Sequence, residues 1–148
     1  MSKSHAFSAD LAKLIFNATP ITGLADDAAT SPLTDLYLAL HTADPGETGD
    51  QTTSEIAYTG YARLAVARTN AGWVVTGNAS TPTSVSPAAD ILFAEMTGGV
   101  GGTATHASIG TASSGAGKIL YSGALTPSIT VALGVAPRIK DTSTITED

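Results

Sequence analysis

Cysteine is missing from the 148-residue chain, so neither a disulfide framework nor a thiolate metal site can stabilise it. Charge is also scarce: charged residues make up 14% of the chain, against 43% hydrophobic. Long Lys, Glu, Gln and Arg side chains, which lose little rotamer freedom in a helix, are few, whereas Ala, Gly, Ser and Thr abound. Thr, Val and Gly suit strands and tight turns, so the balance points to an all-β protein. Basic residues number seven against thirteen acidic ones, a net charge of −6. Lys3, Lys13, Arg63, Arg68, Lys118, Arg138 and Lys140 are scattered, without the clustered cations that displace counterions from phosphates. Nucleic acid is therefore not expected as a partner. No stretch approaches the roughly 20 apolar residues of a membrane span, so no membrane partner is expected either. Asp10 and Lys13 interrupt the N-terminal apolar residues before a signal-peptide core can form, which points to a soluble product made in the cytoplasm. The length is that of one ordinary domain.

What is present is strand-like. One segment has helical period: Phe7, Leu11, Leu14, Ile15 and Phe16 form an apolar stripe over about residues 8–17. Ser8 stands where an N-cap belongs, Asp10 falls in the first turn, and Pro20 limits the helix. The stripe either packs on its own domain or docks as an arm on a neighbouring subunit. Residues 21–35 read as a loop. From there short strand signals recur in "DLYLALHT", "GYARLAVAR", "WVVTG", "TSVSP", "DILFAEM", "ATHASIGT", "KILYSGAL", "SITVAL", "APRIK" and "STITE", with Gly, Pro, Asn or Asp between them. Strands without alternating helices predict a jelly-roll-like antiparallel β-sandwich at 36–148, preceded by an arm and linker at 1–35.

Several segments invite a chemical reading. His41, Asp44, Glu47 and Asp50 crowd the end of the first strand, but nothing in their spacing enforces convergence on a metal. Asp44-Pro45-Gly46 is a turn signature, and the order of acids does not match an EF-hand loop. The segment reads as a solvated sheet rim, with no metal expected. Catalysis finds no G-x-S-x-G elbow, and His106 on a strand of small neighbours reads as a hydrogen-bonded face residue. "TGGVGGT" and "GTASSGAGK" lack the spacing and following helix of a phosphate loop, and read as hairpin loops. Trp73, the single tryptophan, is a core or interface anchor, with a sugar-binding face as the sharper alternative. No catalytic residue and no cofactor is expected.

"LYLALHTADPGETG", "YTGYARLAVAR", "ASIGTASSGAGKILYSGAL" and "APRIKDTSTITED" together resemble a family of small tailed-bacteriophage virion proteins. The likeness lies in the ordered set of strand and turn motifs from position 36 onward. Relatives of this kind include capsid decoration (cement) proteins with jelly-roll folds that sit as trimers on the shell, and others labelled tail-fibre-like. The resemblance implies a non-enzymatic virion protein on the capsid outer surface, a homotrimer whose partner is the major capsid protein and which stabilises the shell. A tail-fibre or receptor-binding protein is the alternative. On this reading Phe7, Leu11, Leu14, Ile15 and Phe16 contact the capsid or an adjacent protomer, and Trp73 and His41 are candidates for an interface.

Overall fold

The computed structural model describes residues 5–21, 33–78 and 80–147. In chain order its elements are α1 (His5–Asn17), β1 (Asp35–His41), β2 (Leu64–Ala67), β3 (Trp73–Asn78), β4 (Thr81–Pro87), β5 (Ile91–Leu92), β6 (Gly102–Gly110), β7 (Ile119–Val131), β8 (Arg138–Ile139) and β9 (Ile145–Glu147). The ladders β1–β6, β6–β7, β3–β4 and β4–β9 are all antiparallel. The architecture is all-β with one short N-terminal helix, the class that the composition predicts. A two-stranded ladder, β5–β8, adds to a four-stranded and a three-stranded sheet. By its contacts the chain divides into two units: Met1–Thr34 with Ala67–Ile91 and Ile139–Asp148, and Asp35–Val66 with Leu92–Arg138.

The first unit joins α1 to the sheet β3-β4-β9. Period-two alternation puts Trp73 on the same face as Val85 and Pro87, all three buried. Phe16 is fully buried and meets Trp73 edge-on, with ring centroids 4.9 Å apart. The Asn17 side chain donates to the Trp73 carbonyl at 3.1 Å. Arg68 closes the helix: its guanidinium donates to the carbonyls of Ile15 at 2.7 Å and Leu14 at 2.8 Å, two of the acceptors that the last turn leaves unpaired. Beyond it, Thr19 N–H donates to the Lys13 carbonyl and Ala18 takes φ +51°, a Schellman-type end with alanine where glycine is usual.

Two expectations about this helix are corrected. It already includes His5, so Ser8 is not its N-cap but an interior residue, and Asp10 lies beyond the first turn. The segment His5-Ala6-Phe7 contains no breaker that would delay the helix. The buried side is Ser8, Ala9, Ala12 and Phe16, rotated from the stripe of large residues because small side chains let a helix approach a sheet closely. Leu11, Leu14 and Ile15 are half-buried, and Phe7 is exposed. The segment expected as an arm at 1–35 thus contributes α1 to this unit. Most of its expected linker, 22–32, lies outside the described residues, as do residues 1–4. Ser8 Oγ, Trp73 Nε1 and Thr83 Oγ1 are buried without a partner among the described residues, so apolar contact must offset their desolvation.

The second unit is built on the sheet β2-β1-β6-β7. Leu36, Leu38 and Leu40 alternate as expected, but Ala39 and His41 on the other face are buried too. Both faces of β1 are covered, which a simple alternation pattern does not reveal. "KILYSGAL" and "SITVAL", expected as two strands, form the single β7, whose ladder shifts register between Ala104 and His106 on the partner strand. Pro127 falls within that shift, between the paired Ala124 and Ile129, where a bulge tolerates it. "DILFAEM" is strand only at Ile91–Leu92. Its remainder is held by Phe93 N–H to the Pro137 carbonyl and Met96 N–H to the Val135 carbonyl.

Phe16→Ala is expected to lower the unfolding free energy by about 3–5 kcal/mol, because it empties the space against Trp73. Urea denaturation followed by Trp73 fluorescence measures it. A change below about 1 kcal/mol, typical of a surface site, would show that α1 is not part of this core.

Candidate functional site

The second unit carries most of the polar chemistry on and around the 41–63 segment. His41 ends β1, and the pairing His41↔His106 sets it on the same sheet face as Ser108. Its Nδ1 lies 2.8 Å from the Thr53 carbonyl and its Nε2 2.7 Å from Ser108 Oγ. A carbonyl only accepts, so the proton sits on Nδ1 and Ser108 donates to Nε2. Burial favours this neutral form and pushes the His41 pKa below its usual value, more than the Thr53 bond raises it. A serine–histidine pair is the start of a hydrolase dyad. Here, however, His41 is 0% and Ser108 2% exposed, and the residue behind the ring is a carbonyl. No substrate reaches this pair in the folded state.

Gln51, also fully buried, stitches the loop to both strand ends. Its Oε1 accepts from Ala112 N–H at 2.9 Å and its Nε2 reaches the Tyr37 carbonyl at 3.4 Å. A Cβ placed on Gly110 or Gly117 would strike the Gln51 carboxamide. The glycines of "GTASSGAGK" make room for a side chain, in the hairpin that joins β6 to β7.

Glu55 and Arg63 form a two-pronged ion pair, Nε–Oε1 and Nη2–Oε2 both 2.7 Å, with Arg63 also donating to the Ala112 carbonyl at 3.1 Å. Tyr61 OH donates to Glu55 Oε1 at 3.0 Å and accepts from Leu40 N–H at 3.1 Å. The ring lies parallel to Phe93 at 6.0 Å, and burial drives the Tyr61 pKa far above its usual value. The Glu55 bond raises the Arg63 pKa. Each charged atom therefore has a partner, which a buried pair requires. Gly60, at φ +105°, turns the chain into this network where a Cβ would press on the Glu95 carbonyl.

Outside this core lies an open groove of about 590 Å³. One wall is the turn with Asp44, Gly46, Glu47 and Gly49, and the other is the run Ile119–Ala124 of β7, with His106 between. Asp44 Oδ1 accepts from Gly46 N–H at 2.9 Å, fixing the turn with Gly46 at φ +68°. Asp50, its pKa lowered mainly by the Thr52 hydroxyl, is tied to its own loop. Among the described residues no three His, Asp or Glu side chains group in a way that could hold a metal.

The expected 41–50 cluster is therefore split. Asp44 and Glu47 are exposed on the groove, whereas His41 points into the core. The solvated-rim reading is corrected for His41, because Thr53 and Ser108 satisfy both ring nitrogens once the loop folds over β1. Trp73, placed among core or interface anchors, sits in the core of the first unit. Sequence reading missed Gln51, Ser108 and the Glu55–Arg63–Tyr61 network. The string "GYAR" was visible, but only the fold shows that two of its side chains converge on Glu55.

A fold of closed polar networks with an open groove on its surface belongs, by comparison with known families, to a structural protein of a bacteriophage particle, of fibre-like kind. The family model described as Podophage GP4 fiber I protein gp80 matches residues 6–146, and the chain belongs to that family. Among curated proteins none matches the chain.

Glu55→Gln should cost about 3–5 kcal/mol in unfolding free energy, since it leaves a buried guanidinium without its charge partner. Denaturant titration at neutral pH checks this. A cost near zero would mean that Arg63 finds water instead. Because the His41 pKa is depressed in the folded chain, the unfolded chain takes up its proton first as pH falls. That part of the stability is complete above the unfolded value of about 6.5 and declines below it. Thermal melts between pH 7.5 and 5 should show the decline, and His41→Asn should flatten it.

Proposed function

We propose that the chain is a non-enzymatic, external subunit of a tailed-phage particle, carried in a fibre-type appendage and working through contact with neighbouring subunits. The observation that carries this reading is the surface of the second unit. From Ile119 to Pro137 no residue is charged, although the chain as a whole carries −6. Within that run the 13-residue β7 is last in the sheet order among the described residues, with Ser122–Ala124, Thr126–Ser128 and Thr130 exposed. Free-standing proteins usually guard such an edge with charge. Val100, between glycines, is 99% exposed, and Leu133 is 72% exposed. Both are apolar side chains of the kind that contact proteins bury on assembly. The family description supports the fibre location.

The motif set from residue 36 onward favours a second reading, capsid decoration with the major capsid protein as partner and the capsid outer surface as location. In either setting a homotrimer is the proposed assembly, on family analogy. Phe7, Leu11, Leu14 and Ile15 keep accessible surface for an adjacent protomer, whereas Phe16 is committed to its own core.

Fractionation of purified particles into heads and tails, with mass spectrometry of each, separates the readings. The chain is expected in the tail fraction. Recovery with emptied heads would establish decoration instead, and absence from particles would refute both.

A further inference from the structure

At one end of the second unit the ladder pairs Gly102 with Val131, the first residue of β6 with the last of β7. The chain before Gly102 and the chain after Val131 therefore leave the sheet side by side. Val100 stands two residues before that pair and Leu133 two residues after it, and both are exposed. Neither is on a loose end. Thr97 N–H donates to the Thr59 carbonyl at 3.1 Å, and Thr59 N–H donates to the Gly98 carbonyl at 2.8 Å, which ties one loop down. The buried Met96 accepts from Gly134 N–H at 3.0 Å and donates to the Val135 carbonyl at 2.9 Å, which joins the two loops. Gly101, at φ +68°, lies so close to Val131 that a Cβ would strike its carbonyl. Two apolar side chains are thus held out on bonded loops, so a partner can bury them without first ordering the backbone.

Charge and shape together identify the partner. From Met96 to Pro137 the one charged residue is Lys118, at the opposite end of β7, in a chain of net charge −6. The exposed Glu95 and Arg138 bracket that run. Copies of an acidic chain repel one another, least where neither surface carries charge. The uncharged surface continues from the tip along β7, where Thr126, Ser128 and Thr130 are exposed. An apolar centre with a polar flank is the composition of a protein contact. The tip also carries both halves of a fit. Val100 and Leu133 protrude, while Gly99, Gly101 and Gly134 beside them bear no side chain and leave low ground between. A patch with its own knobs and hollows can pack against itself about a symmetry axis. A bilayer is a poorer match, because neither loop supplies a cation for anionic headgroups. We infer that the tip formed by residues 97–101 and 132–135 is a contact between copies of this chain, with Val100 and Leu133 at its apolar centre beside the symmetry axis. The inference rests on the homotrimer reading and names the surface through which the copies meet.

Sedimentation of the purified full chain from micromolar to millimolar concentration tests the contact. The wild type is expected to associate, and the double variant Val100→Asp, Leu133→Asp to associate about tenfold more weakly or worse. Both sites are exposed, so folding should survive, which Trp73 fluorescence checks. Val100→Lys with Leu133→Lys should weaken association as much, although it makes the chain less negative. Val74→Asp, at an exposed apolar site on β3, should leave association unchanged. Because the chain has no cysteine, Val100→Cys supplies a single thiol. A short bismaleimide should link copies through it, and should not link copies of Val74→Cys. Association that the tip variants leave intact, equal loss with Val74→Asp, or no link through Val100→Cys would overturn the inference while a trimeric wild type keeps the homotrimer reading. A wild type that stays monomeric at millimolar concentration overturns both. Tip-dependent association into dimers would support the contact and refute the trimer alone.

Discussion

The second unit depends on one ion pair, between the buried Arg63 and the half-buried Glu55. Arg63 and Glu55 meet with two bonds of 2.7 Å, and both belong to backbone that is largely irregular between β1 and β2. Such a stretch has few ladder bonds of its own, so its position must come from side chains. The pair supplies that position, and Tyr61 extends it to the backbone of β1 at Leu40. With the loop fixed, Gln51 and Thr53 fall where the hairpin at Ala112 and the ring of His41 need partners. Desolvating the Arg63 guanidinium is costly, and removing Glu55 would leave it stranded in the core. The network therefore makes the loop conformation specific as much as it makes it stable.

The same network explains why a serine–histidine contact of 2.7 Å is a structural feature here. Catalysis needs a nucleophile that a substrate can approach and a base ready to take its proton. His41 and Ser108 are closed off by the loop that the ion pair holds, and their hydrogen bonds satisfy each other. Polar groups inside the unit are used to fix shape. Polar groups outside it, Asp44, Glu47 and His106, border the groove. The unit is thus closed inside, while the Asp44 and Glu47 carboxylates stay exposed outside.

The first unit obeys different physics. Its helix lies on a sheet through small residues and one aromatic anchor, and three polar atoms are buried without partners among the described residues. Arg68 compensates at one point by binding the helix's last carbonyls, where its charge also complements the dipole. Phe16 and Trp73 meet edge-on where the helix lies on the sheet.

Composition and periodicity alone determined the all-β class, the short N-terminal helix and most strand positions, because those follow from local preferences and the two-residue alternation of a sheet. They also determined that Asp44-Pro45-Gly46 turns, since Pro and Gly restrict the backbone whatever surrounds them. The helix's buried side was not legible in the sequence, because size marks apolar residues while close packing on a sheet selected Ala9 and Ala12. Only the tertiary structure decided that His41 leaves the acidic cluster for the core and that Gly110 and Gly117 exist to admit Gln51. Only it joined Glu55 to Arg63 and set the 44–49 turn across a groove from β7. Each of these depends on residues brought together across the chain, Gln51 with Ala112, His41 with Ser108 and Asp44 with Tyr121. No local pattern encodes such pairings, because the free energy that selects them exists only once the loop has closed over the sheet.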